Sequence, residues 1–408
     1  MKRYAKAVLR PAWNALKWRM DGIAKAESGA ALTAAMRRAD DLENVLRETN
    51  ERLGKALTRI DDAERQLARS SQIYSKVRTA FPDLFYSDQI ERELTQYNDQ
   101  IDVHELPSVF DYWSNKYILP LFHECGFSTV DEFYAKNLVQ AAQRVGGTAR
   151  FISIGAGNCD TEIRVVKLML ELGLKDFEFE CLDLNPTMLD RGREAVDASG
   201  LGRIFRFVQG DFNAWIPSGE YAGVMANHSL HHVTNLEGLF DSIKASLNPR
   251  GYFVSSDMIG RNGHMRWPEA LGHVERIWQE LPAERRYNHQ MRRAEPTFVN
   301  WDCSSEGFEG IRAQDILPLL VDRFDFPVFL AFGNVINPFV DRCFGPNFDA
   351  DSADDRAFID RIHAIDEAGF ESGELTPTQM LAVMSPTAVD SHVYARGLSP
   401  QKAARSTN

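Results

Sequence analysis

The stretch Phe151-Ile152-Ser153-Ile154-Gly155-Ala156-Gly157-Asn158-Cys159-Asp160, followed by Thr161-Glu162-Ile163, decides the fold of this 408-residue chain. A short apolar run meets two glycines and then a helix opening, the pattern of a buried strand turning into a helix. Glycine at such a turn lets the backbone approach a ligand where a side chain would collide. The rhythm then repeats, with Glu162 to Leu172 helical, Phe177 to Leu182 extended, Pro186 to Ala198 helical and Ile204 to Val208 extended. This βαβαβ alternation predicts an α/β fold, a doubly wound parallel sheet with helices on both faces. Ligands of such sheets sit at the carboxyl ends of the strands.

Those ends carry the chemistry. The second strand closes in Glu180-Cys181-Leu182-Asp183-Leu184-Asn185-Pro186, which places Asp183 where a carboxylate can accept both hydroxyls of a ribose. The third closes in Val208-Gln209-Gly210-Asp211-Phe212, an acid for an exocyclic amine beside an aromatic face for a purine. A dinucleotide fingerprint needs glycine where Asp160 stands, and an acid at that helix start repels a pyrophosphate. NAD and FAD are therefore disfavoured. A cofactor with no phosphate and a positive centre fits better, which points to S-adenosylmethionine.

At these residues the chain resembles the class I S-adenosylmethionine-dependent methyltransferases, over roughly residues 150 to 260. The resemblance implies a seven-stranded Rossmann-like sheet and assigns cofactor contacts to Gly155, Gly157, Asp183, Asp211 and Phe212, with Met188 packing near the adenine. Two positions depart from the family pattern: Ser153 replaces its usual acid, and Cys159 its third alternate glycine. The fourth strand, Ala222 to Ala226, opens into Asn227-His228-Ser229-Leu230-His231-His232, which resembles the family segment beside the transferable methyl and brings Asn227 to the cofactor. Histidine suits removal of a hydroxyl proton because its ordinary pKa lies near neutrality. His228 and His231 are the candidate bases. His232 takes a loop-bracing role by analogy with the family's paired histidines, and Asp257, at the tip of the fifth strand Tyr252 to Asp257, is a further catalytic candidate.

Flanking the sheet, Trp267 to Leu281, Ile311 to Val321 and Ala357 to Ala368 read as helices, while Phe326 to Phe332 and Met380 to Met384 form an expected closing hairpin. Residues 334 to 349, rich in Asn, Pro, Phe and Asp with Arg342, are expected to loop over the acceptor site. Val109-Phe110-Asp111-Tyr112-Trp113, Tyr117-Ile118-Leu119-Pro120, Ile316-Leu317-Pro318, Asn337-Pro338-Phe339-Val340-Asp341-Arg342 and Pro377-Thr378-Gln379-Met380 resemble a bacterial subgroup that accompanies surface-polysaccharide synthesis. That resemblance implies a glycan or other small-molecule acceptor and a helix carrying Tyr112 and Trp113 over the cofactor.

The N-terminal part reads differently. Lys2, Arg3, Lys6, Arg10, Lys17, Arg19 and Lys25 face one acid, Asp21, and Leu9, Trp13, Leu16, Met20 and Ile23 recur at helical steps. This describes an interfacial helix touching anionic lipid, or equally a helix packed on protein. Between residues 28 and 80, Leu32, Ala35, Ala39, Leu42, Leu46, Thr49, Leu53, Ala56, Ile60, Ala63, Leu67, Ser70, Tyr74 and Val77 alternate steps of three and four. Such a seam predicts a helical coiled-coil arm and a homo-oligomer, the alternative being a long helix folded back on the body. The organisation expected is a basic segment over 1–27, a coiled coil over 28–80, a helical lid over 81–148, the catalytic domain over 149–390 and a flexible tail over 391–408.

A net charge of −12 disfavours nucleic acid as a partner, and no apolar run is long enough to span a bilayer. Cys125, Cys159, Cys181, Cys303 and Cys343 show no zinc spacing, so reduced thiols in a cytoplasmic protein and no metal are expected, with contact at the inner face of the cell membrane through residues 1–25. The functional reading is a methyltransferase acting on a sugar hydroxyl. The alternatives are a coiled-coil scaffold whose methyltransferase-like body binds cofactor without catalysis, and an NAD-linked oxidoreductase.

Overall fold

The computed structural model describes residue 34, residues 36–49, 51–52, 55 and 59, and residues 106–405 apart from residue 306. The basic segment 1–27, most of the coiled coil 28–80 and residues 81–105 of the expected lid lie outside the described residues. The chain divides into two units, Met1–Phe85 and Tyr86–Asn408. In the first, residues 36–49 are helical, and the seam residues Leu42 and Leu46 are exposed, as are Met36 and Val45.

In the second unit the helices α1 (Ser108–Trp113), α2 (Leu119–Glu124) and α3 (Val130–Val145) precede the sheet, with a π-helical turn, Ser114–Ile118, between the first two. Helix α3 is capped by Thr129, whose hydroxyl accepts from the Glu132 amide at 3.0 Å, while the Glu132 carboxylate accepts from the Ser128 amide at 2.6 Å. The alternation follows as β1 (Ala149–Ile154), α4 (Asp160–Glu171), β2 (Phe177–Asp183), α5 (Pro186–Ala198), β3 (Phe205–Gln209), β4 (Tyr221–Asn227), α6 (Leu236–Ser246) and β5 (Leu247–Met258). Beyond it come α7 (Pro268–Glu280), a small hairpin of β6 (Tyr287–Asn288) and β7 (Arg293–Ala294), α8 (Ala313–Val321), β8 (Asp325–Phe332), α9 (Asn337–Val340), α10 (Ala353–Ser372), β9 (Gln379–Ser385), β10 (Val393–Tyr394) and α11 (Pro400–Ala403).

The main sheet has the order β10-β8-β9-β5-β4-β1-β2-β3. Strands β1 to β5 are mutually parallel, and β9 enters antiparallel between β5 and β8. Period-two alternation sends Phe151, Phe179 and Val254 into one apolar cluster with Phe133 and Leu138 of α3, and Ile152, Val224 and Phe253 into a second with Phe240 of α6 and Leu317 of α8. Both faces are thus covered, as a parallel sheet requires.

Three expectations change. The sheet has eight strands rather than seven, because β10 adds in parallel to the edge strand β8. The tail over 391–408 is packed as far as residue 405: Ala403 is buried, and Arg405 pairs with Glu269 while its guanidinium lies over the Trp267 ring. Residues 334–349 do not loop over a site; Val335, Ile336, Phe339, Val340, Phe344 and Phe348 are all buried. Their aromatic content builds core, with Trp278 of α7 edge-on to Phe344 at 4.7 Å between ring centroids.

Ending the chain before Ser399 should therefore cost roughly 1–3 kcal/mol, from the lost burial of Pro400 and Ala403 and the exposed Trp267 ring. The thermal midpoint of the shortened protein measures it, and an unchanged midpoint would restore the flexible tail.

Candidate active site

The glycine turn needs its glycines. Gly155 has φ +72° and a Cβ there would stand 2.5 Å from the Ser229 Cβ; Gly157 has φ +54° and would meet the Met188 methyl at 3.1 Å. Cys159, in place of the third alternate glycine, adopts φ 61° itself, and the bare Gly192 of α5 makes room for its sulfur. The turn is tied to β2 by Asp183. One carboxylate oxygen accepts from the Gly157 amide and the other from the Asn185 amide, both at 2.8 Å. Asn185 in turn caps α5, its side chain accepting from the Thr187 and Met188 amides.

Around this turn lies a cavity of about 190 Å³ lined by Gly155, Gly157, Asp183, Leu184, Asn185, Met188, Phe212, Asn213, His228, Ser229, His232 and Phe308. Five of the expected cofactor residues, Gly155, Gly157, Asp183, Met188 and Phe212, meet there. Asp211 stands behind the wall, its carboxylate accepting from the Asn213 amide at 2.8 Å and so shaping the turn that presents Phe212. Asn213, which the sequence did not single out, reaches across to the β4 loop and accepts from Thr234 and Asn235. Asn227 ends β4 outside the lining, where the Tyr134 hydroxyl is 3.2 Å from its side-chain oxygen and donates to the Ala226 carbonyl at 2.9 Å.

Tyr112 and Trp113 are elsewhere. The Tyr112 hydroxyl donates to Asp360 at 2.9 Å, and the Trp113 indole donates to His363 at 3.3 Å, so both pack against α10 and neither lines the cavity. The expectation of a lid over the cofactor fails because the aromatic pair finds its polar partners on α10. Trp113 is almost fully buried against Phe110 and Phe332.

The tip of β4 is built around Asp257. Its carboxylate, fully buried, accepts from the amides of Ser229 at 3.0 Å, Leu230 at 2.8 Å and Met258 at 2.8 Å, and pairs with His231 Nδ1 at 2.6 Å. With every lone-pair direction used, Asp257 does not act as the base; it positions the histidine. Burial opposes its charge, yet the His231 imidazole holds its carboxyl below the ordinary range. Burial likewise opposes a charge on His231, and the Asp257 and Glu309 carboxylates outweigh it, raising the imidazole to about 10.

The two candidate bases therefore separate. His231 is buried and gripped at both nitrogens, with Glu309 3.4 Å from Nε2. His228 stands on the cavity wall in a left-handed backbone conformation, φ 50°, anchored by its amide to the Ser256 carbonyl at 2.8 Å. Its ring is exposed to the cavity, and desolvation by the surrounding protein lowers its pKa below the ordinary histidine value. The paired histidines also exchange places: His231 braces the loop, and His232, given that role from the sequence, lines the cavity.

Two further groups were not legible as site residues. Ser153 donates to Glu162 of α4 at 2.7 Å, so a buried carboxylate from the helix stands beside the position where the family pattern has an acid on the strand. Burial pushes Glu162 up to about 7. Glu309 and His264 come from loops after β5 and before α8, their side chains 2.6 Å apart.

Among the lining residues are one carboxylate and no Lys or Arg, which suits a cationic sulfonium and not a pyrophosphate. Residues 159–255 match a family model described as a methyltransferase domain. The chain carries an S-adenosylmethionine-dependent methyltransferase domain. Solved structures similar to it include the O-methyltransferase of a trans-AT PKS multienzyme from Brevibacillus brevis, in complex with S-adenosyl-L-homocysteine, at 14% identity and a TM-score of 0.37, over 75% of this chain and 85% of that one. Another is the geranyl diphosphate C-methyltransferase of Streptomyces coelicolor A3(2), at 12% identity and a TM-score of 0.36, over 63% of this chain and 75% of that one. No curated protein matches this sequence.

Two outcomes follow for this methyltransferase domain. Asp183→Ala should weaken S-adenosylhomocysteine binding by roughly 1–3 kcal/mol, seen by calorimetry, since a charged acceptor is removed; an unchanged affinity would contradict the ribose assignment. Glu162 has a folded-state pKa above its ordinary value, so the stability its protonated form contributes is complete below about pH 4.5 and lost as the pH rises through about 7. Glu162→Gln should flatten that decline, gaining at most about 3 kcal/mol on the parent above about pH 8 in denaturant titrations. Parallel pH profiles for the two proteins would remove Glu162 as the cause.

Proposed function

We propose that the protein transfers the methyl group of S-adenosylmethionine to a hydroxyl oxygen, on a sugar of a glycan or glycolipid. The observation that carries the hydroxyl is the place of His228: an imidazole on the wall of the cofactor cavity, at a strand tip, is the proton acceptor that an alcohol needs and that a more acidic acceptor would not. The sugar is supported by the resemblance of the 109–120, 316–318, 337–342 and 377–380 segments to methyltransferases that accompany surface-polysaccharide synthesis.

In this reading the sulfonium of the bound cofactor supplies an electrophilic methyl carbon with an excellent leaving group. The chain's own work is positioning. Asp183 holds the ribose hydroxyls, Met188 and Phe212 close on the two sides of the adenine, and Asp211 presents Phe212. The bare backbone at Gly155 and Gly157 admits the cofactor against the turn. His228 takes the acceptor proton, while Asp257 and His231 hold the β4 tip on which it stands.

The same proposal includes self-association through residues 28–80 and contact of residues 1–25 with an anionic membrane surface. Exposed Leu42 and Leu46 on a helix support the first, and the seven basic residues before residue 26 support the second. Among the described residues, no helix is long and apolar enough to cross a membrane.

His228→Asn removes the imidazole while keeping a residue that tolerates the left-handed backbone. Methyl transfer from radiolabelled cofactor to extracted surface polysaccharide should fall by about 10²–10⁴-fold with S-adenosylhomocysteine affinity retained. Turnover equal to the parent would return His228 to a structural role, and cofactor binding with no transfer to any extract would favour the scaffold reading. For the arm, Leu42→Lys combined with Leu46→Lys should convert an oligomer to a monomer in sedimentation; an unchanged mass excludes the seam as the contact.

A further inference from the structure

Three loops that are distant in sequence converge behind the cavity wall. The first is the β4 tip carrying His231, the second is residues 262–264 after β5, and the third is residues 308–311 before α8. Close backbone contact makes the meeting possible. The Gly263 amide donates to the Gly310 carbonyl at 2.8 Å, and the Ile311 amide donates to the His231 carbonyl at 3.0 Å. Gly263 and Gly310 both have positive φ, +63° and +67°, and a Cβ at Gly310 would stand 3.0 Å from the Gly263 nitrogen. His264, with φ 55°, is held in the same left-handed region by its neighbours, and Arg266 donates to its carbonyl at 2.8 Å. The two glycines adopt this region freely, whereas His264 is strained in it, and such strain persists only where the surroundings over-determine it.

The convergence aims three donors at one point. His231, His264 and Glu309 each offer one ligand atom, and these atoms all lie within 4.8 Å of one another. Ligands about a cation at about 2.1 Å stand roughly 3 to 4 Å apart, so the cluster needs only a small side-chain adjustment to close on one. The orientation of His231 matches the requirement of a metal ligand in one more respect. A ligating imidazole ordinarily gives its other nitrogen to a carboxylate, which fixes its tautomer and ring direction. Asp257 does this at Nδ1 at 2.6 Å, leaving Nε2 directed at Glu309. The cluster adjoins the cavity wall: His232, which lines the cavity, has Nε2 3.4 Å from Glu309, and Phe308, next to Glu309 in sequence, lines it too.

We infer that His231, His264 and Glu309 form a divalent transition-metal site, with Asp257 as the partner that orients His231, opening on the acceptor side of the cofactor cavity. Two imidazoles and one carboxylate suit a borderline divalent ion such as zinc, iron or cobalt rather than calcium or magnesium. The inference rests on the methyltransferase reading only for its role. A cation there displaces the proton from His231 Nε2, which leaves to solvent, then takes the acceptor oxygen as a ligand and lowers the pKa of its hydroxyl. The hydroxyl proton passes to His228, the oxygen–carbon bond forms as the carbon–sulfur bond breaks, sulfur keeps the electron pair, and the cation is neither oxidised nor reduced.

Full-length protein stripped with chelator and titrated with cobalt(II) alone tests the site. One equivalent should bind with a visible ligand-field band, and His264→Gln and Glu309→Gln should each weaken binding by at least about tenfold. S-adenosylhomocysteine affinity, measured on the same samples, should stay at the parent value and shows that each variant is folded. The wild type alone gives a second reading, since zinc added to the stripped protein should raise its thermal midpoint. No cobalt band and no zinc-induced rise, or a band unchanged in both variants, overturns the metal site and leaves a hydrogen-bonded histidine network. Failure of the unsubstituted protein to bind S-adenosylhomocysteine strikes the methyltransferase reading instead, whatever the cobalt titration shows.

Discussion

The carboxylate of Asp257 is the interaction on which the reaction side of this molecule depends. Buried without access to water, it is tolerated only because three amides and an imidazole nitrogen surround it. Two of those amides, from Ser229 and Leu230, belong to the loop that leaves β4, and one, from Met258, to the end of β5. The carboxylate thus binds two strand tips into one platform. His228 and His232 stand on that platform, and Ser229, fixed by its hydroxyl to the Ile154 carbonyl at 2.7 Å, carries the order across to the glycine turn of β1. Removing the charge would leave the amides unpaired in a dry interior, a larger loss than any single contact.

A second carboxylate does the same on the cofactor side. Asp183 joins the glycine turn to the start of α5, so the backbone that receives the cofactor and the acid that recognises its ribose are positioned by one pair of hydrogen bonds. Glu162 is a third buried acid near the same turn, held by Ser153. The family's strand acid has, in effect, moved to the helix: small Ser153 on β1 leaves room for a longer side chain arriving from α4. The single carboxylate of Asp183 and the absence of Lys and Arg from the cavity lining make this end of the sheet hospitable to a positive ligand.

The flanking elements serve packing more than the site. The aromatic segments at 109–122 and 334–349, which from their residue types read as lid and loop, are absorbed into one apolar cluster with Trp278 and α10. Large aromatic side chains bury most of their area wherever a partner is near, and here the partners lie on α7 and α10. The short C-terminal elements extend the same logic to the sheet edge. Strand β10 covers the edge of β8, which would otherwise present unpaired backbone groups.

The alternation of apolar strands and helices between residues 149 and 258, the glycine turn and the acid Asp183 were legible in the sequence because they are local, whereas Asp211, read as a cofactor contact, shapes the turn behind the cavity wall. Period, turn chemistry and strand-end position are all written within a few residues of each other. Strands β8 and β9 were legible as short apolar runs for the same reason, although their antiparallel pairing spans two helices. What the sequence left open was every pairing across loops. It presented three histidines at one strand tip with no means to tell which faces the cavity, because burial is decided by chains arriving from elsewhere. Glu309 and His264 bury His231, α10 draws Tyr112 and Trp113 away from the cofactor, and Tyr134 of α3 pins the end of β4. Those contacts span tens to hundreds of residues, and no local propensity encodes them. Composition and periodicity thus determined the sheet and its cofactor end, while only tertiary packing decided which side chains meet the acceptor.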